Sequence, residues 1–71
     1  MDISLCEAVL NRFSSFFVWQ VIDTPDALIA IILAADGWEC SIALPHRFRL
    51  STYDAATYFV QELERRRRSN A

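Results

Sequence analysis

Three residues of types that often perform catalysis are candidates for a shared site in this chain, but no motif brings them together. His46 is the single histidine, and as a general base it would need a nucleophile and an acid that orients its ring. Cys40 and Asp54 are the candidates for those two roles, yet their spacing places neither beside His46. We therefore interpret His46 as a surface loop residue, assign no catalytic residue and predict that the protein is not an enzyme.

Metal and cofactor sites are also not expected. A structural zinc site requires four ligands in paired spacing, whereas the chain holds two cysteines, Cys6 and Cys40, and one histidine. The single glycine, Gly37, lies in a turn signal, so no glycine-rich loop is available to hold a phosphate. We predict no metal and no cofactor.

The start of the chain and its longest apolar run bear on the cellular compartment. Met1-Asp2-Ile3-Ser4 lacks the positive charge of a signal peptide. The longest apolar run, residues 27–35, is nine residues long, and a membrane-spanning helix needs about twenty. We expect a cytoplasmic protein with no membrane contact, in which Cys6 and Cys40 are reduced thiols.

Charge is distributed unevenly along the chain. Arg65, Arg66, Arg67 and Arg68 supply four of the seven positive charges, and there is no lysine. Residues 1–64 keep three arginines against nine acidic residues, a net charge of −6. The basic tail, residues 65–71, has two interpretations: a solvated helix end, or a contact with an acidic partner or nucleic acid.

We favour the solvated helix end for this tail. Cations complement the dipole of a helix C-terminus, and Glu62–Arg66 and Glu64–Arg68 have the spacing of favourable ion pairs. On this interpretation, deletion of residues 65–71 would cost under about 1 kcal/mol of stability.

Hydrophobic periodicity and turn residues predict five elements in one domain, residues 1–71. A capping box at Ser4 and Glu7 opens a helix over residues 3–14, and Ser51 or Thr52 caps a second one over residues 52–67. The predicted strands are Phe16–Ile22, Ala27–Ala35 and Trp38–Leu44. Residues 48–50 either add a short edge strand or simply lead on to the second helix. The fold class is α+β: an α-β-β-β-α domain in which two helices cover one face of a three-stranded antiparallel meander.

Double-stranded RNA-binding domains share this element order, but the chemistry differs. Such domains carry a basic cluster at the start of their second helix. Here that position reads Ser51-Thr52-Tyr53-Asp54, which is neutral to acidic. Nucleic acid is therefore not the expected partner.

The turn residues also predict which side chains face the helices. Asp36-Gly37 is typical of a two-residue hairpin loop, which would place Ala35 opposite Trp38. This register puts Ile29, Ile31 and Leu33 in the core and turns Leu28 and Ile32 outward. In the first strand, keeping the polar Gln20 out of the core favours an odd-length first loop.

The outward face of this predicted sheet is too apolar for a face in contact with water. We predict that it binds a protein, either a target or a second copy, through Val18, Gln20, Ile22, Leu28, Ile32 and Glu39. Ile32→Glu would then abolish association while leaving the fold intact. The alternative is a sheet that curls and buries both faces within one chain.

A small, acidic, lysine-free domain without catalytic groups is similar in general character to phage-encoded inhibitors of bacterial defence, of the anti-CRISPR type. The resemblance implies a non-catalytic protein-binding module that blocks or occupies a partner protein surface, and we expect it to be a homodimer. The alternative function is a nucleic-acid-associated regulator that uses Arg65, Arg66, Arg67 and Arg68, with an affinity that falls steeply with salt.

Overall fold

A computed structural model describes residues 2–13 and 16–69. Its elements are α1 (Ile3–Phe13), β1 (Phe17–Asp23), β2 (Ala27–Ala34), β3 (Glu39–Pro45), a 3-10 helix (His46–Phe48) and α2 (Thr52–Ser69). The three strands form one antiparallel sheet in the order β1-β2-β3. The predicted α-β-β-β-α meander is confirmed, while the last predicted residue of the first helix, Ser14, lies outside the described residues.

The two helices begin differently from each other. In α1 the carboxylate of Asp2 accepts the Leu5 amide proton at 3.0 Å, so Asp2 is the capping residue. The predicted capping box is wrong, because Glu7 is directed to the sheet instead. In α2 the hydroxyl of Ser51 accepts the Asp54 amide proton at 3.2 Å, which confirms the predicted cap.

The β2–β3 hairpin has a three-residue loop. The Ala34 amide donates to the Trp38 carbonyl at 2.7 Å, and the Gly37 amide donates to the Ala34 carbonyl at 3.0 Å. Gly37 has a φ of 91°, a left-handed conformation that closes this type of loop and that glycine adopts without strain. Ala34 therefore pairs with Trp38, and the predicted two-residue loop is wrong by one residue.

That shift exchanges the two faces of β2, because side chains alternate along a strand. The observed partners are Leu28 with Leu44, Ala30 with Ile42 and Ile32 with Cys40. All six of these residues face the helices. The sequence predicted that the three from β2 would face outward and that the three from β3 would pair with other residues. Every large residue of β2 is aliphatic, so either register would have buried an apolar set.

The β1–β2 loop is also different in length from the prediction, yet β1 faces as expected. The Thr24 amide donates to the Ala27 carbonyl at 2.9 Å, which leaves a two-residue loop of Pro25 and Asp26 rather than an odd one. Each loop is odd in length where an even one was predicted, or the reverse. Each difference reverses which side chains of a strand face the helices, and for β1 the two reversals cancel. Gln20 consequently stays on the outward side, as predicted.

The core lies between the two helices and the inward face of the sheet. Its fully buried large side chains are Phe59, Leu10, Leu28, Ile32, Ile42 and Cys6. α1 packs on β1 and on α2, and α2 also contacts β3. Two helices therefore cover one face of the sheet, as the sequence predicted.

The segment after β3 turns back to the helical layer. Of the two alternatives for residues 48–50, the edge strand is wrong, because His46–Phe48 form one 3-10 turn and residues 49 and 50 belong to no strand. Arg49 ends that turn in the left-handed region with a φ of 51°. Among the described residues, no helix has both the length and the apolar composition needed to cross a membrane.

Phe59 anchors α2 on the sheet, since its side chain is fully buried in the core. We expect Phe59→Ala to lower the free energy of unfolding by about 3–5 kcal/mol, because it leaves a cavity that the surrounding residues cannot fill. Urea denaturation followed by circular dichroism measures the change. Gln61→Ala, on the exposed side of the same helix, should change stability by under about 0.5 kcal/mol; equal effects would contradict the packing described here.

Candidate protein-interaction surface

The sheet presents one face away from the helices, which we call the outer face. It is a three-by-three arrangement set by the strand register: Val18, Leu33 and Glu39 in one row, Gln20, Ile31 and Ser41 in the next, and Ile22, Ile29 and Ala43 in the last. Five of these nine side chains are large and aliphatic. β1 contributes large residues, β2 contributes large apolar residues, and β3 contributes small ones with one acid.

The described residues leave this face uncovered. Val18 is 63% exposed, Leu33 47% and Ile22 40%, while Ile29 and Ile31 are half-buried by their neighbours in the sheet. The alternative in which the sheet buries both faces within one chain is therefore wrong. Contiguous exposed apolar patches on small soluble domains are unusual and typically mark interaction sites.

The predicted partner-binding residues divide into two groups. Val18, Gln20, Ile22 and Glu39 lie on the outer face. Leu28 and Ile32 do not, because they are 1% and 0% exposed in the core. The proposed Ile32→Glu test of association therefore addresses a core position.

Sequence reasoning missed Ile29, Ile31 and Leu33 as outer-face residues. The Asp36-Gly37 dipeptide set the predicted register, but the same pair also closes a three-residue loop with glycine in the left-handed position. The local sequence does not distinguish the two loops. The flanking strand residues do not distinguish them either, since β2 is apolar on both sides.

The edge of the sheet at β1 is closed by side chains of α1. The Asn11 side chain binds both backbone groups of Trp19: its Oδ1 accepts the amide proton at 3.0 Å and its Nδ2 donates to the carbonyl at 3.3 Å. Glu7 Oε2 accepts a hydrogen bond of 2.8 Å from the amide of Val21, the next amide along β1 that points away from β2. An added strand would have to displace these contacts.

The other edge, at β3, is partly closed by α2. Trp38 is hydrogen-bonded to β2, and hydrogen-bonded residues alternate along the strand. The backbone groups of Glu39, Ser41 and Ala43 therefore point away from β2, towards the open edge of the sheet. Arg66 Nη1 donates to the Ser41 carbonyl at 2.9 Å and lies 3.9 Å from the sulfur of Cys40. Arg66 thus occupies the middle of this edge.

The side chain of Arg67 packs against aromatic rings rather than extending into solvent. Its guanidinium carbon lies 4.8 Å from the ring centroid of Trp38, 5.3 Å from that of Phe17 and 5.9 Å from that of Phe16. These contacts join the end of α2 to the hairpin end of the sheet, where cation–π attraction adds to ordinary packing. The interpretation of the tail as a solvated helix end is therefore wrong for Arg66 and Arg67.

Arg65 and Arg68, the other two arginines of the tail, are exposed. Arg65 Nη2 donates to Glu62 Oε2 at 2.6 Å, so Glu62 pairs three residues along the helix rather than with the predicted Arg66. The hydrogen bond from Arg65 lowers the pKa of Glu62, and the same bond raises the pKa of Arg65. Helix α2 includes this segment up to Ser69, and residues 70 and 71 lie outside the described part.

The candidate catalytic residues do not meet. His46 Nε2 lies 2.8 Å from Asp23 Oδ1 and 2.8 Å from the Thr24 carbonyl; both are acceptors, so this nitrogen carries the proton. Neither Cys40 nor Asp54 bonds to the ring of His46. The contact therefore ties the end of β1 to the 3-10 turn.

The two cysteines are free thiols in different settings. Cys6 is buried in the core, where desolvation, followed by the neighbouring Glu7 carboxylate, raises the pKa of its thiol. A raised pKa and burial both reduce nucleophilic reactivity. In the described part of the chain, no group of three or more His, Cys, Asp or Glu side chains is placed to hold a metal ion.

A second apolar surface lies on the helical side of the molecule. It is a groove of about 340 Å³ lined by Leu5, Ala8, Val9, Arg12, Phe13 and Tyr53. Because this groove is on the opposite side of the domain from the outer face, its residues provide exposed apolar positions for control variants.

Comparisons with protein-family models, with curated proteins and with solved structures found no match to this chain.

The register can be tested at two neighbouring positions of β2. We expect Ile32→Glu to unfold the protein, because it would place an unpaired carboxylate in the core. Ile31→Glu should keep the fold, because residue 31 points to the outer face, where the carboxylate can stay hydrated. Circular dichroism and thermal denaturation of the two variants measure this difference, and the reverse order of stability would contradict the observed register.

The contacts of Arg67 predict a measurable structural role for the tail. Arg67→Ala should lower the free energy of unfolding by about 1–2 kcal/mol through loss of its contacts with the aromatic rings. Arg68→Ala removes the same charge from an exposed position and should change stability by under about 0.5 kcal/mol. Chemical denaturation of both variants provides the comparison, and equal small effects would restore the interpretation of a solvated tail.

Proposed function

We propose that this domain is a non-catalytic protein-binding module that acts by occupying a protein surface with its outer face. The observation that carries the proposal is the set of five large aliphatic side chains on the outer face, of which Val18, Ile22 and Leu33 are exposed. A sheet face in contact with water normally carries polar residues at such positions. Here a partner protein would remove the apolar area from water.

The contacts at the two sheet edges favour docking of a partner on the outer face over addition of a strand at an edge. Strand addition requires free backbone groups along an edge. At β1 both backbone groups of Trp19 and the amide of Val21 are bound by Asn11 and Glu7, and at β3 Arg66 binds the central carbonyl, that of Ser41. The face carries no comparable cover among the described residues.

The arginine contacts weigh against the alternative of a nucleic-acid-associated regulator. Arg66 is bound to Ser41 and Arg67 lies among aromatic rings, while Arg65 is paired with Glu62. Phosphate binding would compete with each of these contacts. The outer face itself has Glu39 as its charged residue, which would repel phosphate.

We also propose that the module works as an inhibitor, in the manner of small phage-encoded proteins that block bacterial defence. An inhibitor of this kind needs a stable surface and no chemistry of its own. The outer face supplies such a surface, and the inhibitor role rests further on the small size and acidic composition of the chain.

Site-specific photocrosslinking in cells tests the proposal. p-Benzoylphenylalanine at position 18, on the outer face, should give a discrete crosslinked product with a protein, whereas the same group at Gln61, exposed on α2, should not. The product should disappear when Leu33→Glu is added next to the probe and should persist with Leu5→Glu. Equal crosslinking at both positions, or none at position 18, would overturn the proposed function.

A further inference from the structure

We infer that the occupant of the outer face is a second copy of this chain, packed face to face about a two-fold axis that runs parallel to β2. This inference rests on the proposed function, because it takes the outer face to be a protein-binding surface, and it names what covers that face when no foreign protein is bound. Two sheets packed in this way form a sandwich with layers about 10 Å apart.

In two of the three rows of the outer face, the side chains become smaller towards β3. On β1 they are Val18, Gln20 and Ile22, and on β3 they are Glu39, Ser41 and Ala43. One side of the face is therefore raised, and the other is low near Ser41 and Ala43. A surface with this gradient fits best against a surface with the opposite gradient.

A two-fold axis along β2 provides that opposite gradient, because it lays β1 of one copy over β3 of the other. Ile22 then packs over the small Ala43 of the second copy. Gln20 comes opposite Ser41 of the second copy, so the two polar side chains of the face can hydrogen-bond to each other. Buried polar groups paired in this way avoid the cost of desolvation without a partner.

The centre of such an interface is entirely aliphatic. Ile29, Ile31 and Leu33 of β2 lie on the axis, and each meets its own counterpart in the second copy. Charged groups are depleted from the centres of homodimer interfaces in general. The charged residue of the face, Glu39, lies at a corner, where it comes opposite Val18 of the second copy and can reach solvent.

The other in-plane axis, perpendicular to the strands, fits less well. It would lay β1 on β1 and β3 on β3, so that large side chains meet large ones on one side. On the other side Ser41 would meet Ser41 of the second copy, which would leave a gap next to the small residues. Gaps of this kind forfeit dispersion contacts.

The size of the face limits the strength of the dimer. The nine side chains span about 10 Å between the outer strands and about 14 Å along them, which is small against the roughly 800 Å² that each partner contributes to a standard interface. We therefore expect a dimer that dissociates on dilution. A foreign protein that binds the same face would compete with it.

Sedimentation equilibrium of the purified chain, from about 1 µM to 1 mM, tests the dimer. The wild type should shift from monomer to dimer over this range. Leu33→Glu should raise the dissociation constant by about 30-fold or more, while the matched Leu5→Glu on α1 should leave it unchanged. A wild type that is monomeric throughout, or a loss of association with Leu5→Glu alone, would overturn the inference.

Disulfide trapping tests the axis. In a Cys40→Ser background, Ile22→Cys and Ala43→Cys are made in separate chains with tags of different mass, mixed and oxidised. The inference predicts a mixed disulfide dimer from this pair and much less from Ile22→Cys mixed with Val18→Cys, which the perpendicular axis would bring together. The opposite preference would overturn the proposed axis.

The two proposals can fail separately. A monomeric wild type that still crosslinks from position 18 to a different protein would contradict the dimer and leave the proposed function standing. A monomeric wild type without crosslinking at position 18 would contradict both.

Discussion

The register of the β2–β3 hairpin is the constraint on which the rest of the structure depends. β2 is aliphatic on both sides, so its own sequence does not decide which residues are buried. The three-residue loop decides it, because Gly37 in the left-handed conformation pairs Ala34 with Trp38. A loop one residue shorter would bury Ile31 and expose Ile32, and both the core and the outer face would have a different composition.

The elements and their order could be predicted from the sequence because each has a local signal. Ser51 marks the start of α2, and Gln20 orients β1 because a polar side chain would be costly in the core. The register of β2 could not be predicted, since Asp-Gly closes loops of two lengths. The cap of α1 was missed because Glu7 binds the sheet edge, a contact that depends on how the helix packs.

The arginine tail shows the same limit. From the sequence, four consecutive arginines at a helix end look like a solvated charge cluster. In the fold, Arg66 reaches a backbone carbonyl of β3 and Arg67 lies over Trp38, because α2 is long enough to bring them alongside the sheet. The helices thus cover one face and restrict both edges, and the open face remains for a partner. That division of surfaces is what connects the fold to the proposed function.

Nuclear magnetic resonance measures the register most directly. In an antiparallel ladder the α-protons of a non-hydrogen-bonded pair lie close together, so the observed register predicts strong cross-peaks between Ile31 and Ser41 and between Leu33 and Glu39. A two-residue loop would instead bring together the α-protons of Ile32 and Ser41. Observation of the first set would confirm that Ile31 and Leu33 face outward, and observation of the Ile32–Ser41 cross-peak would contradict the three-residue loop and its register.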